Sequence, residues 1–268
     1  MAMTINTNVV SLNAQRNLTT SQSSLATSMQ RLSSGLRVNS ALDDAAGLAI
    51  ADRMNAQIRG INVAIRNAND GISQAQTAEG ALATITDALQ RMRELAVQAQ
   101  NGSNGTGDRA NLNTEYLQLS AEITRIAAQT KFNGKAIVGT DAGAQTFQIG
   151  PNGGDTLTIT TTAVTTVAGD LTTAANASTA VGAIDTALDT ITTSRATYGA
   201  SMSRFGMAIQ NLQITGENQQ AARGRIMDAD FAAETAHLSR AQILQQAGTA
   251  MVAQANQVPQ QVLQLLRS

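Results

Sequence analysis

Met54-Asn-Ala-Gln-Ile-Arg-Gly-Ile-Asn-Val-Ala-Ile-Arg-Asn-Ala-Asn-Asp-Gly-Ile-Ser-Gln-Ala75 decides the architecture. Met54, Ile58, Ile61, Ile65, Ala68, Ile72 and Ala75 recur at alternating steps of four and three, the heptad spacing that keeps one apolar seam turned toward a partner helix. After a one-position shift near Glu79 the seam resumes as Leu82, Ile85, Leu89, Met92, Ala96 and Ala99, the pattern of a stutter. No proline interrupts it, since Pro151 and Pro259 are the only two in the chain. One helix from about Asp44 to Gln100 is therefore predicted, roughly 85 Å long at about 1.5 Å per residue.

A second seam lies far downstream: Ile184, Leu188, Ile191, Arg195, Tyr198, Met202, Phe205, Ile209 and Leu212. Between the two, a shorter helix from about Asp108 to Thr130 carries Leu112, Tyr116, Leu119, Ile123 and Ile126 on one face and follows the glycine-rich Asn101-Gly-Ser-Asn-Gly-Thr-Gly107. Three such helices can close a bundle. From Lys131 to about Thr173 the heptad gives way to turn signals, Asn133-Gly134 and Pro151-Asn-Gly-Gly154, and to period-two runs at Thr146–Ile149 and Thr156–Thr160. That combination reads as β-hairpin. The Thr- and Ala-rich stretch from Thr160 to Ala180 is expected to be an exposed loop leading into the downstream helix.

The ends of the chain carry thinner stripes. Leu18, Leu25, Met29, Leu32 and Leu36 mark the first, and Leu238, Ala241, Gly248, Val252, Ala255, Val262 and Leu266 the last. A narrow stripe cannot be buried by an isolated helix, and most helical stability comes from packing. The two ends are expected to pair with each other or with neighbouring subunits. The predicted class is mainly α: a long coiled-coil-like bundle with paired terminal helices and a small central β-hairpin region.

Chemistry narrows the function by exclusion. The 268 residues hold 18 basic and 19 acidic side chains, so no global field recruits nucleic acid or an anionic membrane. No stretch approaches the roughly 20 apolar residues of a membrane span, and Met1 to Leu18 has neither the basic nor the apolar region of a secretory leader. Cysteine is absent and His237 is the only histidine, which removes thiolate chemistry and His-rich metal sites. No catalytic group, metal or cofactor is expected. Gly35 is placed to end the first helix, with Asn39 or Ser40 capping the next region, and Asp43 and Asp44 sit where carboxylates favour a helix start. Pro259 would kink or end the last helix.

Seven blocks resemble the bacterial flagellins: Ile5-Asn-Thr-Asn-Val-Val-Ser-Leu-Asn-Ala-Gln-Arg-Asn-Leu18, Arg31-Leu-Ser-Ser-Gly-Leu-Arg-Val-Asn-Ser40, Asp43-Asp-Ala-Ala-Gly-Leu-Ala-Ile-Ala51, Gln90-Arg-Met-Arg-Glu-Leu-Ala-Val97, Thr130-Lys-Phe-Asn-Gly134, Arg225-Ile-Met-Asp-Ala-Asp-Phe-Ala-Ala-Glu234 and Gln254-Ala-Asn-Gln-Val-Pro-Gln-Gln-Val-Leu263. Only about Gly139 to Ala180 is left unmatched. The resemblance implies a short form lacking the outer inserted domains, with residues 1–40 and 225–268 as the two parts of an inner-tube domain. Residues 41–180 and 181–224 would form a helical shell. It implies a motility function as a homopolymer in the extracellular filament, with Leu18, Leu25, Leu32, Leu36, Leu238, Val252, Val262 and Leu266 as polymerisation seams. Export through the flagellar type III apparatus is implied too, with hook-associated junction and cap proteins as partners and a cytoplasmic export chaperone at the C-terminal region. The same family includes ligands of the innate immune receptor Toll-like receptor 5 (TLR5), and the matching positions are Arg91, Leu95 and Glu115. The alternative within this class is the hook–filament junction protein.

Overall fold

The carboxamide of Asn8 starts the first helix by accepting the Ser11 N–H at 3.1 Å. Helix α1 runs Val9–Ser34 and stops at Gly35, whose φ of 71° and ψ of 4° turn the chain left-handed while its N–H reaches the Arg31 carbonyl, as a glycine cap should. Helix α2 spans Ala41–Ala99 with one extended residue inside it, Asp44 (φ −162°, ψ 96°). The Asp44 carboxylate accepts the Gly47 N–H at 2.8 Å and so caps the main run of α2, a role expected for Asn39 or Ser40. Those two are engaged otherwise: the Asp43 carboxylate accepts the Asn39 N–H, the Ser40 N–H and the Ser40 hydroxyl. Helix α3 spans Thr106–Gln129, α4 Ala174–Met227 and α5 Phe231–Leu265. The computed structural model describes residues 7–265, with side chains through Gln257. Helix α5 continues past Pro259, because a proline removes one backbone hydrogen bond without preventing helical φ and ψ beyond it.

Two small antiparallel sheets join α3 to α4. Strands β1 (Lys131–Phe132) and β2 (Lys135–Ala136) flank Asn133 and Gly134, whose φ values of 48° and 83° are the paired positive angles of a tight hairpin turn. Strands β3 (Ala144–Gln148) and β4 (Thr156–Thr160) pair with Thr146 opposite Thr158 and Phe147 opposite Leu157. The chain is thus mainly α with a small central β region, as the periodicities predict.

Contacts divide the chain into two compact units, Met1–Ala56 with Asn218–Ser268, and Gln57–Glu217. In the second, Ala75, Ala78, Leu82, Ile85, Leu89, Met92, Leu95, Ala96 and Ala99 of α2 are buried with Tyr116 and Ile123 of α3 and Ile184, Ile191, Tyr198 and Phe205 of α4. The seam slips where expected: burial passes through Ala78, and the adjacent Glu79 instead pairs with Arg195 of α4 at 3.2 Å. Phe205 also takes the hairpin, meeting Phe147 edge-on at 5.6 Å between ring centroids.

The stretch 160–180 departs from its expectation as an exposed loop. Helix α4 already begins at Ala174, and Thr161, Val167 and Leu171 are buried. The Val164 N–H donates to the Val138 carbonyl at 2.9 Å, the Ser120 hydroxyl to the Val167 carbonyl at 3.2 Å, and the Leu171 N–H to the Asn113 side chain at 2.9 Å. A strap with its backbone groups satisfied in this way can lie on a core despite its polar composition.

Candidate assembly surface

Helices α1 and α5 lie antiparallel. Asn8 Nδ2 donates to the Ala255 carbonyl at 2.7 Å, the Ser11 hydroxyl to Asn256 Oδ1 at 2.8 Å, and Arg31 stands 3.8 Å from Glu234 at the other end. Between these anchors Leu18 meets Gly248, where an added methyl carbon would stand 3.1 Å from Leu18 Cδ1. The buried residues of this contact, Glu234 apart, are small. Ser11 and Ser28 of α1 and Ala241 and Ala255 of α5 are buried, so the backbones approach closely. Ala241, Gly248 and Ala255 recur every seven residues, and their inward position was legible in sequence.

The expected seam residues sit around this contact. Leu18, Leu25, Leu32, Leu238 and Val252 are half-buried. Leu36 belongs elsewhere: α1 has ended at Ser34, and Leu36 packs with Val38, Leu48, Ala51, Ile226 and Met227. There the segments on either side of the helix ends are stitched together. Arg37 N–H donates to the Met227 carbonyl, Ala229 N–H to the Gly35 carbonyl, and the Arg37 guanidinium to the Ile226 carbonyl at 2.7 Å. The last contact places a cation against the carbonyl end of α4, where the helix dipole favours it. The Val262 side chain and Leu266 lie outside the described residues.

Several of the larger apolar residues of the α1–α5 pair lie outside its contact while Ala241 and Ala255 are buried, contrary to the usual order of burial. Val9, Val10 and Leu12 of α1 and Ile243, Leu244 and Met251 of α5 are each at least half exposed. Val9, Val10, Leu244 and Met251 line one open groove of about 900 Å³ with Gly248 as part of its lining. Sequence reading missed this second face, although Leu244 and Met251 are spaced by a heptad as the small stripe is. An exposed apolar surface of this kind is a candidate site of association. The lone histidine, His237, borders a separate polar groove with Thr27, Arg31, Glu234 and Arg240.

The α2–α3 face divides the residues assigned to receptor recognition. Arg91 Nε donates to Glu115 Oε1 and its Nη1 to Glu94 Oε2, both at 2.9 Å. The carboxylates of Glu94 and Glu115 raise the Arg91 pKa above its ordinary value. Leu95 does not join them. It is 1% exposed and part of the core, so of the three matching positions only Arg91 and Glu115 lie together on the surface. Helix α2 has neighbours on two sides, so its apolar stripe widens to take Leu95 as well as Met92 and Ala96.

Among the described residues no cluster of three or more His, Asp or Glu could hold a metal ion, and no helix is long and apolar enough to cross a membrane.

Comparison with known proteins accounts for both ends of the chain. The family profile described as the bacterial flagellin N-terminal helical region matches residues 5–140, and that of the C-terminal helical region matches residues 181–266. A flagellin of Halalkalibacterium halodurans is 46% identical over 272 residues, covering 99% of this chain and 100% of its own. A flagellin of Xenorhabdus nematophila is 43% identical over 313 residues, covering the whole of both. The crystal structure of Bacillus cereus flagellin superposes with a TM-score of 0.51 at 36% identity, over 55% of this chain and 88% of that one. With both helical regions matched and relatives aligned over their full length, the chain belongs to the bacterial flagellin family and is a structural subunit of the flagellar filament.

Proposed function

We propose that the α1–α5 pair is the polymerising element of this subunit, and that neighbouring copies cover the face formed by Val9, Val10, Leu244 and Met251. One observation carries the reading: α5 turns its small residues, Ala241 and Gly248, toward α1 and leaves Leu244 and Met251 outside. A helix pair packed this way buries its backbones and leaves its largest apolar area for a partner. Because a copy docks onto a different patch from the one it offers, the contact repeats without closing and yields a filament. Residues 1–40 and 225–268 would then form the inner tube and residues 41–180 and 181–224 the surrounding shell. The role is structural, with no catalysis.

Before assembly the same face is free, which suits an export chaperone holding the C-terminal region on the way to the flagellar type III apparatus. Hook-associated junction and cap proteins are the further partners of such a subunit. Relatives named flagellin over their full length favour the filament subunit over the hook–filament junction protein. Receptor recognition by TLR5 would use the exposed Arg91–Glu115 pair, with Leu95 acting only through the fold.

The test is Val10→Asp combined with Leu244→Asp in the full chain. Buried without a counter-ion, each carboxylate opposes association strongly. The variant should keep the helical circular dichroism of the parent yet form no filaments on ammonium sulfate addition, as seen by electron microscopy. Filaments at the parent's yield would overturn the reading.

A further inference from the structure

The open groove contains a reactive atom. Met251 is 61% exposed there, beside Val9, Val10 and Leu244. The other methionines with described side chains are placed differently. Met92 and Met227 are buried, Met54 and Met202 half-buried, and the exposed Met29 and Met207 do not line the groove. We propose that Met251 is an oxidation site at which a hydroperoxide converts the free subunit into a form that assembles poorly. The proposal rests on the reading of that groove as the polymerising face.

The chemistry balances with hydrogen peroxide as the oxidant. A lone pair on the Met251 sulfur attacks one peroxide oxygen, the O–O bond breaks and an S–O bond forms. The proton on the transferred oxygen passes to the departing hydroxide, which leaves as water. Sulfur is oxidised by two electrons and the peroxide is reduced by two. The product is a polar, chiral sulfoxide in place of a flexible apolar side chain, a change that disrupts methionine-containing interfaces.

Exposure decides when this can happen. In the free subunit the sulfur is open to a small oxidant, whereas a docked copy covering the groove shields it. The site therefore separates two populations: unassembled chains are vulnerable and assembled ones protected. Reversibility follows from the same chemistry, because sulfoxide is the rung that methionine sulfoxide reductases restore.

The experiment treats free subunits and preformed filaments with the same hydrogen peroxide, maps sulfoxide by peptide mass spectrometry, and then measures assembly by sedimentation. Free subunits should carry the sulfoxide at Met251 and need about tenfold more protein to assemble, the penalty of burying an unmatched polar group. Filaments should keep Met251 reduced. Treatment with a mixture of the two methionine sulfoxide reductases should restore assembly. Each variant is referred to its own untreated sample: Met251→Leu should lose the peroxide effect, and a chain with Met29→Leu and Met207→Leu should keep it. Oxidised chains that assemble within about twofold of untreated ones, or an effect that persists in Met251→Leu, overturn the proposal. If Val10→Asp with Leu244→Asp assembles normally, the assembly reading itself has failed. If that variant is blocked and oxidised wild-type chains still assemble, only the methionine proposal has.

Discussion

The ring of Phe205 lies over Gly71, where an added methyl carbon would stand 2.7 Å from Cζ and 3.0 Å from Cε2. Glycine in the middle of α2 costs helix stability, and its absence of a side chain is what admits the ring that in turn holds Phe147 of the hairpin. Gly71→Ala gains about 1 kcal/mol of helix propensity but overpacks a fully buried ring, which costs about 1–3 kcal/mol. The clash wins, so the variant should be less stable by about 1 kcal/mol. Gly80 on the same helix has nothing within 4 Å of such a methyl carbon, and Gly80→Ala should stabilise by about 0.5–1 kcal/mol. Urea unfolding followed by circular dichroism reads both, and equal signs would contradict the packing account.

The start of α2 predicts a pH dependence. Asp44→Ala removes the cap on the Gly47 N–H and should cost about 1 kcal/mol. Asp43 acts differently: hydrogen bonds to its carboxylate from the Ser40 N–H, then the Ser40 hydroxyl, then the Asn39 N–H hold its pKa below the ordinary value. A depressed folded pKa contributes stability that is present above the unfolded value of about 4 and is lost as pH falls through the folded one. The stability difference between wild type and Asp43→Asn should therefore be constant at neutral pH and shrink below about pH 4. A difference unchanged down to about pH 2, where free carboxylates are protonated, would exclude the linkage.

Tyrosine titration gives an independent readout of the core, since Tyr116 and Tyr198 are the only two and tryptophan is absent. Burial pushes Tyr198 up to about 12, with the Thr161 hydroxyl acting in the opposite sense, and burial raises Tyr116 as well. A raised folded pKa means stability is intact below the unfolded value of about 10 and falls as pH climbs through the folded one. Ultraviolet difference spectra should show phenolate forming near pH ~10 in urea but, for Tyr198, only toward about 12 in the native protein. Native ionisation of either tyrosine at the ordinary value of a free phenol would show that the α2–α3–α4 core is open to water.

Leu95 and Arg91 should separate folding from recognition. Leu95→Ala empties a buried site and should cost about 2–5 kcal/mol, whereas Arg91→Ala removes exposed ion pairs and should leave thermal unfolding unchanged. If the monomer signals through TLR5, Arg91→Ala should weaken signalling at full structural integrity. Loss of signalling in Leu95→Ala should follow its unfolding curve and be recovered by cooling. Signalling loss in a fully folded Leu95→Ala protein would instead argue for direct contact.

Helix period is local information. Steps of four and three from Met54 to Ala75, and again from Ile184 to Leu212, required the two long helices because only that spacing gathers apolar residues into a stripe. Asn133-Gly134 required a hairpin because adjacent positive φ angles suit few other residues. The terminal stripe is legible for the same reason at Leu18, Leu25, Leu32, Leu238 and Val252, though not at Met29, which is 56% exposed, and the blocks at both ends carry the family resemblance.

Tertiary structure decided what those stripes touch. Leu95 was buried by a second neighbour of α2, and Val167 and Leu171 were drawn onto the core by hydrogen bonds to α3 and the β2–β3 connection, none of which spacing reveals. The outward Leu244 and Met251 depended on which of two apolar stripes on α5 was claimed by α1. Close antiparallel packing selected the small one, Ala241, Gly248 and Ala255, because only small side chains let two helix backbones approach. Periodicity shows that a face is apolar, whereas the shape of the partner helix determines which face is consumed within the chain and which stays exposed.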